Sequence, residues 1–416
     1  MTTGPGAERF DERRLLIALF GAGIAAFAQL YAPQAVLPDA ARELMTSASA
    51  TALLVSAATL GLAVGVLPWA WVADRLGRVR AMTVAMLGAT AVGLAVPFAP
   101  SFGLIVAGRA VEGLLVAGVP AVAMAYLTEM LTEQPTGTGA ASVVPRAAGT
   151  YVAGTSMGGL LGRLVSGGVA ELFGWRAGVG AVAVACLIAT GLFIWLAPRD
   201  RPLRDRPLSG GRYDGGGHGG GHGDGDCGGR VGRLRVLLSP RLLVLDAQGL
   251  LLMGGFVAIY NYLGFRLAAE PFGLSSGVVS LVFLAYLAGT WSSARTGRLV
   301  VRHGRRRVLI VSAGVMAAGV VATLSGWLPA VLVGLVVLTA GFFGAHAVAS
   351  GWTPVAAPRA RTQAAAVYNL AYYAGSSLFG WLGGVGFALA GWSGTVGMVL
   401  VLVALAVSLA AAVLRD

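Results

Sequence analysis

The heptapeptide Asp74-Arg75-Leu76-Gly77-Arg78-Val79-Arg80 stands between two long apolar runs. It packs three arginines, one aspartate and one glycine into seven residues. A second basic stretch, Arg302-His303-Gly304-Arg305-Arg306-Arg307, stands between two further apolar runs, and Gly304 lies 227 positions after Gly77. Tyr151, Gly158, Leu161 and Gly174-Trp175 recur 217 positions later as Tyr368, Gly375, Leu378 and Gly391-Trp392. The slip between the two offsets falls before the fifth apolar run, where the first half has the longer loop, about 123–146. The chain therefore reads as two similar halves, each with a short basic loop at the same internal place.

Composition says what surrounds these loops. Of 416 residues, 56% are hydrophobic and only 12% charged, and the mean hydropathy is +0.78. Soluble domains carry roughly 25% charged residues, so the bilayer is the expected solvent. Sixty-three glycines fit packed membrane helices, where small residues let backbones approach. The net charge of +12 is all arginine, with no lysine. Its place in short loops between apolar runs is the pattern of topology determinants, not of a nucleic-acid face.

A span needs about 20 apolar residues at about 1.5 Å each. Twelve candidates follow, at about 15–36, 51–73, 81–98, 102–122, 147–169, 176–197, 241–262, 274–294, 308–326, 329–350, 364–387 and 394–413. They are too long for barrel strands and lack alternation. With many spans behind it, the first is expected to be a retained helix rather than a signal peptide. Placing the N-terminus in the cytoplasm puts 25 of the 30 arginines inside, so both termini are expected there. The halves are 1–197 and 241–416, joined by a linker at 198–240. Within the linker, His218, His222, Asp224, Asp226 and Cys227 lie in a glycine run that fixes no geometry for a metal. A disulfide between Cys227 and Cys186, which lies in an apolar run, is not expected.

With these residues placed, the chain resembles the major facilitator superfamily over essentially its whole length. The family's loop motif, Gly-x-x-x-Asp-Arg-x-Gly-Arg-x-basic, is met by Asp74, Arg75, Gly77, Arg78 and Arg80, with Ala70 in place of the first glycine. The second copy keeps Gly297, Arg302, Gly304 and Arg305 but has Val301 where the aspartate would stand. Arg109-Ala-Val-Glu112-Gly113 looks like the family's Arg-x-x-Gln-Gly motif, with Glu at the Gln position. Span 5 is similar to the antiporter motif, with Thr150 and Thr155 replacing a glycine and the proline. The Phe27–Pro38 stretch, Gly154 to Arg163 and the Gly174-Trp175-Arg176 turn resemble the YnfM-type, acriflavine-sensitivity branch of drug efflux transporters.

The resemblance implies an all-α fold of two six-helix bundles, and a loop cluster that latches the outward-facing state against the cytoplasmic end of span 11. Asp74, Arg75, Gly77, Arg78, Arg80, Gly304 and Arg305 are the gating candidates. A topology signal alone needs only the arginines. Arg109 and Glu112 sit three apart and share a helix face. Each charge in hydrocarbon costs about 2.5–3.5 kcal/mol, so the pair is either a self-neutralising strut or a proton-coupling element with Glu112 titrating. Asp246, near the start of span 7, is a second coupling candidate unless it is interfacial or pairs with Arg241. Asp39 reads as a loop residue and His346 as a packed histidine.

Gln29, Tyr31, Gln34, Arg163, Asn261, Tyr368 and Tyr372 are the cavity candidates. They sit on spans 1, 5, 7 and 11, together with Tyr262, Asn369 and Tyr373. Tyr31, Gln34 and Tyr372 are the strongest. Arg163 lies roughly 24 Å along span 5; it either snorkels outward or meets an anion in the cavity. Gly154, Gly158, Gly159 and Gly162 read as a packing stripe. The function expected is export of a small organic compound in exchange for protons across a bacterial inner membrane. A sugar or metabolite facilitator and a non-transporting sensor are the alternatives. No nucleotide motif, catalytic triad, cofactor or metal cluster is read in the sequence. The expected partners are the small-molecule substrate, protons and membrane lipid; the chain is expected to act as a monomer.

Overall fold

The computed structural model describes residues 12–132, 140–197, 236–358 and 360–415, and these are helical with no strand. Among the described residues, nine helices are long and apolar enough to cross a membrane. They are α1 (Arg13–Glu43), α2 (Ala48–Leu76), α3 (Arg78–Phe98), α4 (Phe102–Leu127), Gly149–Leu196, α7 (Pro240–Ala268), α8 (Ser276–His303), α10 (Leu328–Ala356) and Arg361–Val413. Gly174 breaks Gly149–Leu196 into α5 and α6, with φ 83° and ψ 163°. Ala390 and Gly391 break Arg361–Val413 into α11 and α12. The remaining long helix is α9 (Arg305–Ala322), whose first turn, Arg305-Arg306-Arg307, dilutes its hydropathy. The described residues thus form twelve helices of spanning length, as expected. Several overrun their apolar windows: α8 carries Arg295 and Arg298 on its last turns rather than in a loop.

The basic loops are tight because glycine makes them so. α2 ends at Leu76, Gly77 takes φ 97° and ψ 157°, and α3 starts at Arg78. α8 ends at His303, Gly304 takes φ 83° and ψ 157°, and α9 starts at Arg305. A side chain at either position would be strained, since positive φ is disfavoured for residues with a Cβ. The internal repeat is therefore a repeat of backbone geometry.

The surface of the helices tells what solvent they meet. Leu60, Val64, Leu67 and Trp71 are exposed at three- and four-residue spacing, one apolar stripe along α2. Such stripes on a soluble protein would be an aggregation hazard; against lipid they are the expected exterior. Inward, α1 packs along α5 and α7 along α11. Gly154, Gly158 and Gly162 bring α5 so close to α1 that a Cβ on them would strike the carbonyl oxygens of Phe20, Ile24 and Ala28. Gly375, the repeat of Gly158, does the same against Leu250 of α7. Gly159 points elsewhere, toward Arg163 and the cavity.

The linker residues His218, His222, Asp224, Asp226 and Cys227 lie outside the described residues. Cys186 is buried and free.

Candidate functional site

A cavity of about 490 Å³ lies between the two sets of helices. Its walls come from α1, α5, α7, α8, α10 and α11. On α5 the lining runs from Gly149 to Arg163, on α8 from Tyr286 to Ala294, and on α10 from Phe342 to His346. Each stretch reaches from mid-helix toward the end that carries the glycine loops, here termed the basic end. The positions repeat at three and four residues, as one face of a helix requires. Tyr31, Arg163 and Tyr372 of the sequence candidates line the cavity.

The other candidates are placed around it. Tyr368 is buried behind the wall, 2.9 Å from His346 Nδ1 through its hydroxyl. Gln34 Nε2 donates to Asn261 Oδ1 at 2.6 Å, and Asn261 Nδ2 donates to the Gly380 carbonyl at 3.2 Å. Gln29 faces α3, donating to the Ala89 carbonyl at 2.6 Å. Phe256, Tyr286, Phe342 and Phe343 were not among the candidates, although they supply much of the ring surface. His346, read as a packed histidine, lines the cavity with its ring 4.7 Å from that of Tyr372.

At the end of the cavity away from the basic end sits Arg163, 1% exposed. Its guanidinium lies 4.5 Å from the Tyr31 ring, 4.9 Å from Phe283 and 4.8 Å from Tyr286. Nε donates to Gln34 Oε1 at 2.6 Å and Nη1 to the Gly159 carbonyl at 2.5 Å. It does not snorkel outward.

Beside the cavity, on the α3 and α4 side of α1, is the second buried charge cluster. Arg109 Nη1 meets Glu112 Oε2 at 2.5 Å, and the two side chains are 1% and 2% exposed. Pro33 has no N–H, so the Gln29 carbonyl lacks its helical donor. Arg109 Nη1 takes that carbonyl at 3.2 Å and Nη2 takes the Leu30 carbonyl at 2.5 Å, while Nε takes Leu54 of α2 at 2.8 Å. Buried orphan carbonyls are costly in a membrane interior, and Arg109 satisfies the one that Pro33 leaves open at the bend of α1 while also holding its neighbour. That bend carries Tyr31 and Gln34. Asp246 is the other buried acid among the described residues, and its Oδ1 has no hydrogen-bond partner there. Arg241 does not pair with it; Arg241 stacks 5.1 Å from the Trp352 ring and donates to the Arg415 carbonyl.

At the basic end, Arg78 bridges Asp74 at 2.5 Å and Glu129 at 2.8 Å, joining the α2–α3 loop to the C-terminal continuation of α4, which runs helical to Thr132. Glu129 was not a candidate. Arg75 lies 3.6 Å over the Trp71 ring. In the second copy Arg305 lies 6.0 Å from the Trp352 ring, and Val301 is exposed.

The opposite end is closed by contacts between the two sets of helices. Besides Gln34–Asn261, Asp39 accepts from Ser276 Oγ, and Glu171 Oε2 accepts from the Gly277 N–H at 2.9 Å. Ser377 Oγ donates to the Ser56 carbonyl at 2.7 Å. Asp39, read as a loop residue, is thus part of a seal, and it also pairs with Arg42. The cavity is shut at one end and lined toward the other.

Comparison with known proteins agrees with this architecture. The Major Facilitator Superfamily model matches residues 15–289. The uncharacterized MFS-type transporter YybF of Bacillus subtilis (strain 168) is 33% identical over 373 residues, spanning 90% of this chain and 86% of that protein. The inner membrane transport protein YnfM of Escherichia coli (strain K12) is 35% identical over 373 residues, spanning 89% and 84%. A solved bacterial homolog to the human lysosomal transporter Spinster, in an inward-facing and unoccupied conformation, matches with a TM-score of 0.74 at 15% identity, over 98% of this chain and 96% of that one. The nucleoside transporter NupG matches with a TM-score of 0.71 at 12% identity, over 96% and 98%. Motifs, paired helix geometry and these relatives together make the chain a multi-pass membrane transporter that belongs to the major facilitator superfamily.

Proposed function

We propose that the protein exports a small organic compound in exchange for protons, with the basic end and both termini in the cytoplasm of a bacterial inner membrane. In this reading the state described here is open to the cytoplasm and sealed outside by the Gln34, Asp39, Glu171 and Ser377 contacts. The halves 1–197 and 241–416 rock about the cavity, with 198–240 as their linker.

The observation that carries the proton coupling is the anchoring of the Arg109–Glu112 pair to the bend of α1. A proton on Glu112 removes half of the ion pair. Arg109 is then held mainly by the α1 and α2 carbonyls, and the balance between the two arrangements of α1 shifts. Since the same bend places Tyr31 in the cavity and Gln34 in the seal, protonation and substrate occupancy bias one element. Asp246, buried with an unmatched oxygen, is the second site where a proton could be carried. Asp74 and Arg78 serve as the latch of the opposite, outward-open state, and the aromatic cavity suits a molecule with ring surface.

The test is proton movement in proteoliposomes on addition of cationic dyes, antibiotics, aromatic acids and sugars. The proposal expects at least one class to stimulate proton flux. Transport without any proton flux would make the protein a facilitator.

A further inference from the structure

We propose that the compound carried is an organic anion, an aromatic carboxylate whose acid group docks on Arg163 while its rings lie against the cavity walls. This rests on reading the cavity as the transport site.

Two arginines are buried in the helical core, and the contrast between them carries the argument. Arg109 has a carboxylate, Glu112, in direct contact. Arg163 is as deeply buried, yet no aspartate or glutamate stands within ion-pair distance of it among the described residues. Its protein acceptors are two neutral oxygens, Gln34 Oε1 and the Gly159 carbonyl, which use Nε and Nη1. Nη2 has no protein acceptor among the described residues. Three aromatic faces within 5 Å soften the burial of the charge but do not neutralise it. A buried ion is retained at a cost unless a counter-charge comes, and here the guanidinium lines the cavity, so the counter-charge can come with the ligand.

The rest of the lining fits that ligand. Among the described residues it holds no aspartate or glutamate. A cationic compound would find no counter-charge there and would meet the like charge of Arg163. A polyhydroxylated sugar would face mostly ring and aliphatic surface. Phe256, Phe342, Phe343 and Tyr372 instead offer faces for an apolar ring system. The volume of about 490 Å³ admits one of two or three rings. An anion on Nη2 also sits one hydrogen bond from the contact between Gln34 and Asn261, so occupancy reaches the seal.

The test is titration calorimetry on the purified full chain in detergent. Benzoate, 2-naphthoate and biphenyl-4-carboxylate are each compared with the matching primary amide and the matching aminomethyl compound. At least one carboxylate is expected to bind about tenfold or more tightly than its amide, as a charge-assisted contact should. Arg163→Gln removes that preference and Arg163→Lys keeps part of it. Monodispersity on size exclusion shows whether each variant is folded. If Arg163→Gln is not, the wild-type ranking and Arg163→Lys decide. The proposal is overturned if no carboxylate outbinds its amide, if the amines bind best, or if folded Arg163→Gln keeps the carboxylate preference. The two readings fail separately: the carboxylate preference is read in detergent, where no pH gradient exists. A failure of proton exchange would then show only in vesicles.

Discussion

Breaking the Arg109–Glu112 pair from its two sides should have unequal consequences. Arg109→Gln leaves a buried carboxylate without its cationic partner and two α1 carbonyls without the guanidinium's hydrogen bonds. Loss of one member of a buried pair costs about 3–5 kcal/mol. A large fall in the detergent melting temperature is expected for Arg109→Gln, partly restored in the Arg109→Gln/Glu112→Gln double variant. A double variant no more stable than the single would remove the electrostatic account of the pair. At the basic end the reasoning runs the other way. Asp74 is two-thirds exposed, and a pair of that kind contributes about 0.2–1 kcal/mol. Asp74→Asn should therefore leave the melting temperature nearly unchanged while slowing transport several-fold, whereas substitutions at Val301 should leave transport near wild type. Equal effects at the two loops would reduce Asp74 to a topology signal.

At the scale of elements, the stripe of Gly154, Gly158 and Gly162 holds α5 on α1 at backbone contact. Gly158→Leu should lower stability by about 1–3 kcal/mol through overpacking, read as a lower melting temperature, while Gly159→Ala, whose Cβ meets only the flexible end of Arg163, should be milder. Equal losses at the two positions would contradict the packing. These glycines were legible in the sequence because four-residue spacing puts small residues on one face. Gly77, Gly304, Gly174 and Gly391 were legible as repeats, and each proved to need a positive φ. Arg109 and Glu112 were legible because three-residue spacing on one helix is local information. The second partner of Arg78, Glu129, the seal residues and the rings of α8 and α10 were not. Glu129 is 51 positions from Arg78, and Ser276 is 237 from Asp39. Only packing decides which face of α8 or α10 meets the cavity and which meets lipid. The spacing of Tyr286, Thr290 and Ser293 was present as a signal, but an aromatic and polar face in a span also fits an interfacial belt.

For the whole molecule, the account requires the seal to open in each cycle. Glu171 of α5 lies against Gly277 of α8, where a Cβ on Gly277 would stand 3.3 Å from the Glu171 Cβ. A Glu171→Cys/Gly277→Cys pair comes near disulfide reach only while this end is closed. The oxidised protein should lose transport, and a reductant should restore it. Full transport by the cross-linked protein would mean that these helices do not separate. The central claim, that Glu112 couples protons to this motion, is tested most directly by two assays on the same Glu112→Gln vesicles. One follows exchange of labelled for unlabelled substrate without a pH gradient; the other follows accumulation driven by one. The account predicts that exchange persists while gradient-driven accumulation is lost; accumulation at the wild-type level would contradict it.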